Sequence, residues 1–181
     1  MMKSSSGLNF WLGNNARATG TFYLPTGEMM DSIIPAEFRQ MFASSEMAQD
    51  KWLRKDAMEY LLRDPGHFIK MIGIKTWYYI WFPPNNLVSR EVLFFKKFFA
   101  LPYGLVLMTG ILGLMLGWKR NKSMMTLLLI LLSTGVILYA VFIVGHLRYR
   151  MPFEPFLIIP AAWFLNDYRD RFKANKTKLL S

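Results

Sequence analysis

Residues 145–156 read Gly-His-Leu-Arg-Tyr-Arg-Met-Pro-Phe-Glu-Pro-Phe, which gathers an unusual amount of chemistry between two apolar stretches. His146, Arg148, Arg150 and Glu154 supply one imidazole, two guanidinium groups and a carboxylate, with Tyr149 among them. Ionisable groups at the mouth of a membrane segment cost about 2–3 kcal/mol each on insertion scales, so a cluster there is a functional-site hypothesis by default. Its chemistry is ligand capture through charge and hydrogen bonds. Other chemistries are excluded. The chain has no cysteine, so thiolate chemistry and disulfides are absent, and its two histidines, His67 and His146, lie too far apart in sequence to form a familiar metal-binding pattern. No Gly-Lys-Ser phosphate loop, no glycine-rich dinucleotide turn and no His-Glu-x-x-His helix occurs, so neither a metal nor a cofactor is expected.

The elements that position this cluster follow from composition. Of 181 residues, 53% are hydrophobic, and the apolar ones concentrate after Phe94. Segments about 98–118 and 124–145 carry no charge. Each is long enough to cross about 30 Å of hydrocarbon, so both are expected to be transmembrane helices. Lys119, Arg120 and Lys122 lie between them, and Arg169, Arg171, Lys173, Lys176 and Lys178 crowd the tail. Positive loops stay cytoplasmic, which puts both regions on the inner side and requires a third crossing at about 151–166. That segment is short: about 15 residues at ~1.5 Å each reach only roughly 22 Å, so its outer end sits below the surface or opens onto water. In the competing arrangement 152–165 lies in the interface and the tail stays outside. The net charge of +10 flanks membrane segments instead of forming one basic face, which argues for membrane lipid as a partner and against nucleic acid.

The first 95 residues have another character. Positions 7–27 are rich in Gly, Asn, Thr and aromatics without helical periodicity and read as an ordered loop or short strands. From 45 to 63, Trp52, Leu53, Ala57, Tyr60 and Leu61 recur at helical spacing, with Ser44 or Ser45 as N-cap. Asp64-Pro65 then opens a second helix to about Trp81, whose Phe68, Ile69, Ile72 and Ile80 beside Lys70 and Lys75 suit a membrane interface. The expected organisation is an extracytoplasmic loop and helix at 1–64 and an interfacial amphipathic helix and connector at 65–95. Transmembrane helices at 96–166 and a cytoplasmic basic tail at 167–181 follow. Gly113 and Gly117, four apart in an apolar helix, suit close helix packing. With 1–95 outside and no signal-peptide core in its first residues, the chain is expected to need an upstream membrane helix to deliver that region; self-translocation by the first long helix is the alternative.

Three motifs carry a resemblance. Leu8-Asn-Phe-Trp-Leu-Gly-Asn-Asn15 with Ala18-Thr-Gly20 resembles an outer-loop motif of bacterial glycosyltransferases related to the family 39 protein mannosyltransferases. Asp64-Pro-Gly-His-Phe with Lys75 resembles their juxtamembrane helix, and His146 to Pro155 resembles their last-helix motif. The resemblance implies an α-helical integral membrane protein, the C-terminal part of a GT-C fold in the bacterial cytoplasmic (inner) membrane. It implies transfer of a sugar from a polyprenyl-phosphate donor to an acceptor at the outer face. The acidic residue of the family's first outer loop has no match here, so the resemblance also implies a partner, the N-terminal membrane portion of the same enzyme, and no activity without it.

On that basis His146, Arg148 and Arg150 are candidate donor-phosphate ligands, because guanidinium groups grip phosphate oxygens bidentately and can stabilise the charge of a departing phosphate. Tyr149 and Glu154 support them, Glu154 by orienting an arginine. Asn9, Trp11, Asn14 and Asn15 suit sugar or acceptor binding, since amides bond hydroxyls and an indole face stacks on a pyranose. Lys70 and Lys75 are candidate contacts to lipid phosphate. The other function class is a non-catalytic multispanning subunit or scaffold, in which the arginines only meet headgroups and the asparagines only close turns.

Overall fold

A computed structural model describes residues 6–35, 45–142 and 150–180 of the chain. Among the described residues the protein is helical. The elements are α1 (Ser6–Gly13), α2 (Glu46–Arg63), α3 (Pro65–Ile80), α4 (Arg90–Gly117), α5 (Lys122–Phe142) and α6 (Glu154–Leu180), with 3-10 turns at Met30–Ile33 and Asn85–Leu87. The Tyr23–Met29 antiparallel bridge is isolated and belongs to no strand. Two compact units result, one holding Met1–Phe94 and Val136–Tyr149, the other Phe95–Gly135 and Arg150–Ser181.

In the first unit, α1 stands where an ordered loop or short strands are expected, and the reason is tertiary. An isolated eight-residue helix is marginal in water. Here the Asp50 carboxylate of α2 accepts the Gly7 amide at its start, and side chains beyond its end take its last carbonyls: Asn14 Nδ2 donates to Phe10 O at 2.8 Å and Asn15 Nδ2 to Trp11 O at 2.8 Å. Trp11 and Leu12 then pack with Leu24, Met30, Leu53 and Ala57 as the core of this unit. The two following helices begin where local chemistry sets them. Ser45 Oγ accepts the Ala48 amide at 3.3 Å, and Asp64 Oδ1 accepts the His67 amide at 2.9 Å with Pro65 at the first helical position. The face that α3 buries is Met71, Lys75 and Tyr79, one residue per turn. Gly20, at φ +82°, lets the loop rest on that face: a Cβ there would stand 3.3 Å from Lys75 Cγ. The last turns of α5 also belong to this unit, with Tyr139 edge-on to Tyr79 at 4.8 Å and Phe142 at 6.5 Å from Phe10.

In the second unit, glycines set the packing. A Cβ added to Gly110 would lie 2.9 Å from the Leu157 carbonyl oxygen, one on Gly113 would strike the Pro160 carbonyl, and one on Gly117 would strike Met125. Such small-residue stripes bring helix backbones together where no solvent drives association. Four pairs tie α4 and the α4–α5 turn to α6 and the turn that opens it: Tyr103 with Arg150, Gly110 with Leu157, Gly113 with Pro160 and Arg120 with Asp167. The sequence separation is identical in all four, so α4 and α6 run parallel. Between the first and last pair, at about 1.5 Å per residue, the contact extends roughly 25 Å. Helix α6 continues without a break from the apolar segment into the basic tail, helped by the Arg171–Asp167 ion pair one turn apart.

Among the described residues, α4 and α5 are long and apolar enough to cross a membrane. Only 11% of the apolar window of α4 and 28% of that of α5 are buried inside the chain, so most of both windows is left uncovered by the described residues. Phe98, Leu101, Leu105, Met108 and Met115 face outward along α4, and Leu127, Ile130 and Ile137 along α5. Exposure on this scale is stable against hydrocarbon and costly against water.

Candidate functional site

His146, Arg148 and Tyr149 lie outside the described residues. Arg150 lies within them, in the turn that opens α6, where its carbonyl accepts the amides of Phe153 at 2.9 Å and Glu154 at 3.2 Å. Its side chain turns inward and the residue is 7% exposed. Nε donates to Glu154 Oε1 at 2.9 Å, and the guanidinium carbon stands 3.9 Å above the centre of the Tyr103 ring. A carboxylate in the plane and a ring below it fix the orientation of the guanidinium. The carboxylate also neutralises the charge, so an anion reaching Arg150 competes with Glu154 for it. Sequence reasoning missed Tyr103. Its signal is a lone phenol after Pro102 in an uncharged, largely apolar run, and nothing in the sequence pairs position 103 with position 150.

The outer-loop residues divide. Trp11 is buried and its indole nitrogen donates to Asp56 Oδ2 at 2.7 Å, while Asn14 and Asn15 are buried against the end of α1. These three are committed to holding the unit together. Asn9 is half-buried and borders a cavity of about 350 Å³ lined by Ser6, Phe10, Arg54, Met58 and Phe142. The cavity has an apolar floor of two rings and a thioether, with the polar groups of Ser6, Asn9 and Arg54 among its lining. Asp50 holds Arg54 in place through Nε at 2.9 Å.

The two lysines of α3 also part company. Lys70 is exposed. Lys75 is fully buried, with Nζ donating to Asn14 Oδ1 at 3.1 Å, so it does not stand on a lipid-facing surface. Asn14 passes the connection on, since its Nδ2 also reaches Val141 O near the end of α5 at 3.2 Å. The loop after α1, the middle of α3 and the last turn of α5 thus meet at one amide. Burial lowers the Lys75 pKa to about 8.

Among the described residues no group of His, Cys, Asp or Glu is placed to hold a metal ion. Comparison with protein-family models, with curated proteins and with solved structures finds no match for this chain.

Proposed function

We propose that this chain is the C-terminal part of a GT-C membrane glycosyltransferase that moves a sugar from a polyprenyl-phosphate carrier to an acceptor at the outer face of the bacterial cytoplasmic membrane. The observation that carries the reading is Arg150, a desolvated guanidinium oriented by Tyr103 and Glu154 at the entrance to a long helix. In the transfer, an acceptor oxygen attacks the anomeric carbon. The bond from that carbon to the phosphate oxygen breaks, the carrier phosphate leaves with the electron pair, and the acceptor proton passes to a base that we place on the N-terminal membrane portion. In this reading Arg150 grips the phosphate and stabilises the charge it gains, and His146, Arg148 and Tyr149 of the same sequence motif are further candidate ligands. Asn9 and its cavity take the sugar or acceptor, and Lys70 meets lipid phosphate.

The membrane topology in this reading has three crossings, with the N-terminal region outside and the tail inside. The parallel course of α4 and α6 supports it, because two parallel neighbours need an intervening crossing in the opposite sense, which α5 supplies. The Arg120–Asp167 ion pair supports it too, since groups 2.7 Å apart lie at one depth.

A second reading, a non-catalytic membrane subunit, is favoured by the inward commitment of Trp11, Asn14 and Asn15. Binding of a polyprenyl phosphate to the chain in lipid nanodiscs separates the two. Arg150→Ala should weaken binding by about tenfold or more, the usual worth of a charged hydrogen bond, and Arg150→Lys should recover only part of it. No binding, or equal binding by Arg150→Ala, leaves the subunit reading.

A further inference from the structure

The opposite end of the α4–α6 pair carries a second arginine arrangement. Asp167 on α6, with its side chain 12% exposed, accepts Arg120 Nη1 at 2.7 Å through one oxygen and Arg171 Nε at 2.7 Å through the other. The arginine side chains are 60% and 65% exposed. Arg120 lies 5.8 Å from the centre of the Trp163 ring, and it belongs to the turn between two helices apolar and long enough to cross a membrane. One carboxylate shared by two guanidinium groups leaves one positive charge in excess. It also fixes both groups in space before any ligand arrives, which lowers the ordering cost of binding.

We propose that Arg120 and Arg171 form a binding site for the phosphate of an anionic phospholipid. The chemistry is that of a phosphodiester: planar N–H donors on two fixed guanidinium groups meet its oxygens, and the lipid chains lie along the exposed apolar flanks of α4 and α5. The tryptophan ring sits where amphipathic aromatic rings gather, at the headgroup level. The inference rests on the membrane reading and is independent of a donor site at Arg150.

The test uses the whole chain in nanodiscs that mix phosphatidylglycerol with phosphatidylcholine, reading immobilised spin-labelled lipid of each kind. The wild-type chain should prefer the anionic lipid, and Arg120→Gln/Arg171→Gln should reduce that preference about thirtyfold, the worth of two basic groups near a surface. Lys119→Gln/Lys122→Gln removes the same charge from neighbouring positions and should leave most of the preference in place. Arg171→Gln alone, on an exposed turn, should give a partial loss if the double variant does not fold. Arg150→Ala should keep the preference, so failure here and failure of the donor site are told apart. Equal loss from the lysine pair would reduce the effect to net charge and overturn the site, as would an unchanged preference in the arginine variants. Displacement of the labelled lipid by millimolar inorganic phosphate would assign the site to a free ion and overturn the lipid.

Discussion

The two ends of the parallel α4–α6 pair use the same parts to opposite effect. Each has an arginine, an aromatic ring and a carboxylate. Arg150 is buried, pairs with its own carboxylate and sits tightly on Tyr103, so its charge is matched and shielded from bulk water. Arg120 is exposed, shares its carboxylate with Arg171 and stands farther from Trp163, so that end keeps a positive charge and stays open. The difference lies in the ratio of charges and in the water each end keeps. A buried guanidinium demands a matched carboxylate, because desolvation of an unpaired ion costs several kcal/mol, whereas an exposed one tolerates sharing.

Removing each carboxylate puts the contrast under the greatest strain. Glu154→Ala takes the Glu154 carboxylate away from Arg150, which stays buried beside a ring, and should cost about 3–5 kcal/mol in unfolding of the detergent-solubilised chain. Asp167→Ala leaves two exposed arginines for solvent to screen and should cost about 1 kcal/mol or less. Denaturant titration followed by circular dichroism reads both. Equal costs would break the comparison, since burial would then not govern how the two arginines are held.

Lys75 extends the comparison to a buried cation whose hydrogen-bond partner is a neutral amide. Burial lowers its pKa from 10.5 to about 8. Below about pH 8 the folded and unfolded chains both hold the proton and the penalty is complete. Between about 8 and 10.5 the unfolded chain binds more protons than the folded one, so stability rises with pH through that window. At about 1.4 kcal/mol per pH unit, the gain for a group so placed is on the order of 3 kcal/mol. Melting temperature measured from pH 7 to 10 should rise in the wild type relative to Lys75→Met. Parallel profiles would show that water reaches the ammonium group.

The sequence made some of this legible and hid the rest for physical reasons. The starts of α2 and α3 could be read because a cap is local: Ser45 and Asp64 bond backbone amides three residues on. The uncharged stretches behind α4 and α5 could be read because a helix long and apolar enough to cross a bilayer shows in composition alone. The form of α1 could not, since its ends are satisfied by Asp50, Asn14 and Asn15, one of them on another helix. The lysines of α3 were legible only as a pair on an amphipathic helix. Which of them turns inward depends on Asn14, sixty-one positions away. The Gly113 and Gly117 spacing announced a close approach but not its partners, Pro160 and Met125. The pairing of Tyr103 with Arg150 is set by helix register, and a ring contact between two helices leaves no trace in either one alone.

That ring contact supplies the smallest effect and the finest test of the contrast. A cation over an aromatic face gains roughly 2 kcal/mol when desolvated and about 0.5 kcal/mol when water competes. Tyr103→Leu keeps an apolar side chain but removes the ring, so it should destabilise the chain by about 2 kcal/mol, against about 0.5 kcal/mol for Trp163→Leu. Tyr103→Phe preserves the ring face and should stay close to wild type. Salt divides the pair further. At about 1 M the screening length falls to roughly 3 Å, which erases most of what the exposed Arg120 contributes and leaves the buried Arg150 nearly untouched. The Trp163→Leu effect should therefore shrink with salt while the Tyr103→Leu effect holds. If both fade together, the guanidinium of Arg150 is in contact with bulk water and the shielding that sets it apart from Arg120 is absent.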